Sequence, residues 1–436
     1  MKKTIVLLLA LFLSTAGFAQ GIINLINKSQ NFFVLMEQKN FTQAHDYFDS
    51  SVSDKISIRN LDGLWAKLNE NLGKLESADV VQSKTEGEYF YVYVEGKFAN
   101  DSQNFLLVYN KSEKLVGLFL PPKTNRAQHV KAAYADTAKY TEKEIYIETP
   151  GHKLVGKLTQ PKNVQNFPIV VLVHGSGPAD MDATVGGNKI FADLAQGLAS
   201  QGIGSIRYVK RTMVYAGEFG KTFTVKEETI DDALAAIALA RTTPGVNPKK
   251  IFLLGHSLGG MLAPRIAALV PDLNGIVIAA GPARTLTDVL VDQNKYLFSL
   301  AKDSTGALKG RLDTALLEVE KSRISKMGTL KPDSVIIGLP VAYWVDLNSS
   351  NQVSVAQKLK QRIMVIQGGN DFQVYDTDYN LWNTALGKKK NATLKLYPAL
   401  NHFFSVQTEK GTSAQYQTSA NVSEQVINDL AAWIKL

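Results

Sequence analysis

Three short stretches carry residues able to perform nucleophilic catalysis. The first is an apolar run, Ile251 to Leu254, that passes into Gly255-His256-Ser257-Leu258-Gly259 and then into a helical pattern. A strand that turns at once into a helix crowds the side chains at the bend. Small residues at positions 255 and 259 relieve that crowding and leave Ser257 standing at the top of the turn. A serine hydroxyl is a weak nucleophile until a base takes its proton. His402, in the loop after an expected strand at 394–397, fits that role; it is the only His after His256. Asp371 closes the run Ile363-Met-Val-Ile-Gln-Gly-Gly-Asn-Asp and can orient an imidazole. Asp376 and Asp378 are alternatives nearby. The chain order is nucleophile, acid, base.

The second requirement is a pair of N–H donors for the oxyanion of a tetrahedral intermediate. Leu258 N–H, at the start of the helix after Ser257, is one expected donor. His174-Gly175-Ser176-Gly177-Pro178 follows the apolar strand 169–173, and Ser176 N–H is the expected second. Gly175 and Gly177 let that backbone turn toward a pocket. His174 then organises its loop, and His256 is expected to be buried with its ring directed away from Ser257.

Composition narrows the chemistry. The chain has 436 residues, is 45% hydrophobic, and contains six His and no Cys. Cysteine nucleophiles, disulfides and thiolate metal sites are excluded. No cofactor or metal is expected. Net charge is +8, but the basic residues are scattered, and Lys249-Lys250 and Lys388 to Lys390 lack interleaved aromatics. A solvated basic face follows, with no nucleic-acid partner.

The elements that must position these residues form an alternating series. Strands are expected at 144–149, 154–158, 169–173, 205–208, 251–254, 273–279, 363–366 and 394–397. Helices are expected at 190–199, 227–239, 258–269 and 422–434, with Thr224 or Thr229 as a cap for the second. This predicts a doubly wound α/β sheet with two leading hairpin strands over 141–436. Between about 282 and 361 the alternation breaks into amphipathic helices, read as a lid insertion above the strand C-termini. Its Tyr296, Phe298, Tyr343 and Trp344 are either lid core or substrate contacts.

The front of the chain reads differently. Lys2-Lys3, an apolar run from Ile5 to Leu13, and Gly17-Phe18-Ala19 form a secretory signal peptide over 1–19, too short for an ordinary membrane span. The mature protein is therefore expected to be exported, periplasmic or extracellular, with no integral membrane segment. Residues 20–122 read as a small α+β domain: helices over 31–48 punctuated at Asn40, a helix over 61–75, then strands at 89–94, 104–109 and 114–120. His45 lies among apolar residues and reads as structural. Residues 123–140 are expected to be a polar linker.

Together these motifs resemble an α/β-hydrolase, in particular bacterial serine esterase/lipase-like and serine aminopeptidase-type members preceded by an NTF2-like domain. The His-Gly-Ser-Gly-Pro loop, followed by Asp180, Asp182 and Gly187-Asn188-Lys189, and the segment Ile206 to Arg211 carry the likeness. The family commonly has Asp where this chain has Val209, in a loop that the resemblance places at the pocket mouth. The implied activity is hydrolysis of carboxylic esters of small or medium acyl groups through Ser257, His402 and Asp371, with a small-molecule ester as substrate. An exported aminopeptidase-like enzyme is the rival; it would need an acidic pocket for the substrate amine, for which Glu144, Glu218, Asp346 or a Glu of the lid is available. A nonenzymatic binder built on the front domain is the other.

Overall fold

The computed structural model describes residues 18–86, 89–121, 128–219, 222–300 and 307–436. The expected signal peptide lies outside these, apart from Phe18 and Ala19, which open the first helix. Among the described residues no helix is long and apolar enough to cross a membrane. The chain divides into two compact units. The first comprises residues 1–125 with Ala216–Lys221 and Val335–Leu339, and the second comprises the rest.

The first unit has helices α1 (Phe18–Glu37), α2 (Phe41–His45), α3 (Ser50–Ser53) and α4 (Ile58–Leu72). Four antiparallel strands follow in sequential order: β1 (Leu75–Glu86), β2 (Tyr89–Phe98), β3 (Ser102–Tyr109) and β4 (Leu115–Phe119). Asn40 caps α2 by accepting from Gln43 N–H. Phe32, Phe33, Trp65 and Phe105 fill the core, and Phe90, Val92 and Val94 face it from alternate positions of β2. The α4 helix stops three residues short of expectation because Gly73 takes φ 81° and ends it. The strand β1 is a correction to the sequence reading. Its residues, Leu75-Glu-Ser-Ala-Asp-Val-Val-Gln-Ser-Lys-Thr-Glu, show neither a helical nor a clean alternating pattern, and pairing with β2 makes the strand.

The second unit is built on an eight-stranded sheet. Its strands are β5 (Tyr140–Thr149), β6 (His152–Pro161), β7 (Phe167–Val173), β8 (Gly204–Tyr208), β9 (Val246–His256), β10 (Gly275–Ala279), β11 (Arg362–Gly368) and β12 (Ala392–Tyr397). The spatial order is β12-β11-β10-β9-β7-β8-β6-β5. The six strands from β12 to β8 run parallel, while β6 and β5 are antiparallel at one edge. The parallel strands β7, β8 and β10 are buried almost throughout, as strands covered on both faces must be. Helices α5 (Ile190–Ser200) and α14 (Glu424–Lys435) join Val170, Leu172, Phe252 and Leu254 in one hydrophobic core.

Helix α6 (Arg211–Val214) is a single turn. The helix expected over 227–239 begins instead as a π-helical turn, Lys226–Ile230, and continues as α7 (Asp231–Thr242). Neither expected Thr is the N-cap, which is Val225 without a side-chain cap bond; Thr224, one residue earlier, accepts from Lys226 N–H through its hydroxyl, and Glu227 accepts from Thr224 N–H. Residues 128–139, expected as a linker, lie in the second unit and are tied to it. Ala132 and Ala135 are buried, Tyr134 Oη donates to Val422 O, and His129 Nε2 meets Asp193 Oδ1 at 2.8 Å.

Helix α8 (Leu258–Leu269) follows β9. After β10 come α9 (Leu286–Leu300), α10 (Ala307–Glu320), α11 (Val341–Asn348) and α12 (Gln352–Lys358), the expected helical insertion. Its base is fixed by Arg284, which donates to the fully buried Asp378 of α13 (Asp376–Leu386); the Ala283 and Arg284 N–H groups bond the same carboxylate. Helix α9 rests on the loops that leave the C-terminal ends of β11 and β12. Gln293 Nε2 donates to Gln373 O, Tyr375 Oη to Asp292 O, and Tyr296 Oη to Lys410 O. Tyr343 and Trp344 are buried in the insertion, whereas Tyr296 and Phe298 are half-buried.

Candidate active site

Ser257 sits between β9 and α8 with φ 57° and ψ −119°, a backbone conformation that is costly for a non-glycine residue. Ser257 N–H donates to Ala279 O at 2.9 Å, and Ser257 O accepts from Met261 N–H at 3.0 Å. The flanking glycines are steric necessities. A Cβ on Gly255 would run into the Gly259 carbonyl, and one on Gly259 would run into Val173 and His174 carbonyls. Strand, bend and helix can therefore meet only as they do, and the hydroxyl is left uncovered. The α8 N-terminus begins directly after it, where the helix dipole favours negative charge.

His402 Nδ1 and Asp371 Oδ2 are 2.6 Å apart, and both side chains are almost completely buried. A carboxylate can only accept, so Nδ1 carries the proton and Nε2 is left as the basic nitrogen. Asp371 is saturated with donors. Its Oδ1 accepts from Gln373 N–H at 2.7 Å and Val374 N–H at 2.9 Å, and its Oδ2 accepts from Gln367 Nε2 at 3.0 Å as well as from His402. Four donors fix the carboxylate plane and so fix the imidazole. The alternatives stand elsewhere: Asp378 is bound to Arg284, and Asp376 is exposed on the first turn of α13. Among the described residues Ser257 Oγ makes no hydrogen bond.

His256 is buried and engaged with the His402 loop. Its Nε2 donates to the His402 carbonyl at 2.9 Å, and the two rings lie 4.6 Å apart. Burial, reinforced by the charge His402 can carry, lowers the His256 pKa to about 3, so this ring is a neutral donor. His174 is likewise neutral. Burial first, then the nearby Lys210 charge, lowers its pKa to about 3, and its Nε2 donates to Asp180 O at 2.9 Å. That bond folds the His174–Pro178 loop back on itself. The Gly175 backbone comes close enough to Ser257 that a Cβ there would lie 3.1 Å from Ser257 Cβ. Leu258 N–H and Ser176 N–H have no hydrogen-bond partner among the described residues.

Ser257, His174, Asp371 and His402 thus follow the C-terminal ends of β9, β7, β11 and β12, the edge where open α/β sheets place their sites. The match extends to the sequence itself, where residues 170–406 fit the alpha/beta hydrolase family. The chain belongs to that family. Within the alpha/beta hydrolases, it is 34% identical over 399 residues to Esterase EstD of Thermotoga maritima, covering 92% of each chain. Among solved structures, Est1E from Butyrivibrio proteoclasticus is similar at 15% identity over 67% of this chain and 98% of that one, with a TM-score of 0.42. The esterase domain of a Rhodothermus marinus protein is similar at 13% identity over 67% and 97%, also with a TM-score of 0.42. Residues 29–118 match a separate family described as a protein of unknown function, DUF3887.

Two features escaped the sequence reading of this hydrolase. Gln367 lies in the middle of a strand motif, and nothing local marks its amide as a clamp on Asp371. Lys210 and Glu228 are both nearly fully buried and paired at 2.6 Å behind the His174–Pro178 loop. The carboxylates considered for a substrate amine differ in setting. Asp346 pairs with Arg265 at 2.7 Å, Glu144 is exposed on the edge strand β5 beside Tyr146 Oη, and Glu218 belongs to the first unit.

Proposed function

We propose that this protein is a serine-dependent carboxylic-ester hydrolase that works through an acyl-enzyme. The observation that carries the reading is the buried Asp371–His402 contact at 2.6 Å set beside a serine on a strained strand-to-helix bend. Similarity to an esterase over 92% of the chain supports the ester as the bond cleaved. His402 Nε2 takes the proton of Ser257 Oγ as that oxygen bonds to the ester carbonyl carbon. Asp371 holds the ring in the required tautomer and stabilises the imidazolium. Leu258 and Ser176 N–H groups receive the oxyanion. The C–O bond to the leaving alcohol then breaks, and the alcohol departs with the proton from His402. Water, deprotonated by the same imidazole, attacks the acyl carbonyl and releases the acid and Ser257.

The substrates in this reading are esters of small or medium acyl groups. The decisive assay runs a p-nitrophenyl acyl series beside aminoacyl p-nitroanilides, on wild type and Ser257→Ala. Ester turnover that vanishes in the variant, together with fluorophosphonate labelling of Ser257, is the expected result. Full ester activity in Ser257→Ala, or cleavage of the amides alone, would reject it. The same reading carries the expected export: N-terminal sequencing of the protein recovered outside the cytoplasm should begin at Gln20. It also takes the α+β unit as an NTF2-like cone, supported by helices that precede a four-stranded antiparallel sheet.

A further inference from the structure

We propose that Lys210 and Glu228 are positioning residues of the oxyanion loop, and that Tyr343 couples them to the helical insertion. The inference rests on reading Ser176 N–H as an oxyanion donor. The residues on either side of Ser176 in that loop are held from behind. Gly175 O accepts from Lys210 Nζ at 2.7 Å, and Gly177 N–H donates to Glu228 Oε1 at 3.3 Å. Ser176 lies between them, so fixing its neighbours on both sides fixes the plane of its own N–H. The two anchors are bonded to each other, Lys210 Nζ to Glu228 Oε1 at 2.6 Å. The second carboxylate oxygen, Oε2, accepts from Tyr343 Oη on α11 at 2.7 Å.

All three side chains are shut away from solvent: Lys210 is 2% exposed, Glu228 3% and Tyr343 1%. A buried ion pair is poor value as a stabiliser, because desolvation consumes most of the Coulomb gain. An apolar pair of equal volume would fill this space as well. It could neither accept from Gly177 N–H nor donate to Gly175 O. Glu228 also lies within the π-helical turn Lys226–Ile230, a local departure from α geometry of the sort found at functional sites. The pair acts on geometry. Lys210 and Glu228 neutralise each other, so little net charge is left to act on the oxyanion. Tyr343 is carried by the insertion, so a displacement of α11 reaches the oxyanion donor through one carboxylate.

The test compares Tyr343→Phe, Glu228→Gln and Lys210→Met with wild type, using kcat and KM for a p-nitrophenyl ester and Ki for a trifluoromethyl ketone that mimics the tetrahedral intermediate. Active sites are titrated so that kcat refers to competent enzyme. An oxyanion donor displaced by a fraction of an ångström should lower kcat by roughly tenfold or more in Glu228→Gln and Lys210→Met, and by about threefold in Tyr343→Phe. KM should stay within about twofold, and Ki should weaken by the same factor as kcat/KM. Tyr343→Phe removes one oxygen and keeps the ring, so it folds even where Lys210→Met does not. Wild-type kcat and Ki in Tyr343→Phe and Glu228→Gln would overturn the proposal, as would a loss of titratable sites with unchanged kcat per site. Failure of the wild type to label at Ser257 would instead remove the reading beneath it.

Discussion

Each residue proposed for the chemistry is held by a partner whose purpose is legible only in three dimensions. Asp371 shows this best. Its carboxylate meets two backbone N–H groups, one amide and one imidazole. Asp371→Asn keeps the shape but puts a donor where His402 Nδ1–H needs an acceptor, which favours the wrong tautomer. We expect kcat/KM to fall by about 10³–10⁴, with little change in melting temperature. Gln367→Leu should act more mildly, loosening the carboxylate without removing it; about tenfold lost from kcat is the expected scale for one orienting bond. Steady-state kinetics on the two variants separates the effects, and equal losses would contradict the assignment of Gln367 as a support. The strained bend that carries Ser257 is legible in the sequence because its requirement is local and steric: only glycine fits at 255 and 259. The pairing of Asp371 with His402 follows the chain order of the motifs. Gln367 and Glu228 were not, because their partners are brought to them by strand pairing and by a π-helical turn that shifts side-chain register.

At the level of elements, the parallel strands and their helices follow from apolar runs and helical periods, and most boundaries shift by only a few residues. Departures occur where tertiary pairing overrules local pattern. The polar strand β1 exists because β2 offers it an edge. The insertion could be located from the broken alternation, but its attachment could not. Arg284 and Asp378 supply that attachment through charge-assisted bonds, with Asp378 wholly enclosed. Asp378→Ala leaves a guanidinium and two N–H groups without their acceptor. Urea unfolding should show a loss of about 3–5 kcal/mol, the usual result of breaking one side of a buried pair. A loss below about 1 kcal/mol would mean that the insertion is secured elsewhere.

The whole molecule adds two properties that no single element has. The first is acid sensitivity. His174 and His256 are neutral in the native state with pKa values near 3, while the same side chains in the unfolded chain take up a proton near pH 6.5. Between those values the unfolded state binds the additional protons. Their contribution to stability is therefore fully present above about pH 6.5 and is lost progressively as the pH falls toward 3. The slope is at most about 1.4 kcal/mol per pH unit for each ring. Denaturant unfolding at several pH values from 7 to 4 measures it, and His174→Gln should flatten the profile. The second property concerns where the hydrolase unit starts. Residues 128–139 bring Ala132, Tyr134, Ala135 and the His129–Asp193 contact to that unit, so a chain beginning at 140 should melt several degrees below one beginning at 126. Equal melting temperatures would return those residues to the status of a tether. Sequence alone made them a linker because they are short of large apolar groups; two alanines and one tyrosine suffice to dock them.

The hydrogen bond from His256 to the carbonyl of His402 has a consequence for anyone who would redesign this enzyme. In the pattern Gly-x-Ser-x-Gly, the first x looks like free sequence space. Here it grips the main chain of His402, the proposed base. A library that randomises position 256 would therefore be screening, without intending to, a range of distances between proton acceptor and hydroxyl. The same coupling runs in reverse. Lengthening the turn between β12 and His402 by one residue would strip the ring at 256 of its acceptor and disturb the bend that exposes the serine. One hydrogen bond thus ties the bend that carries Ser257 to a loop 146 residues further along the chain.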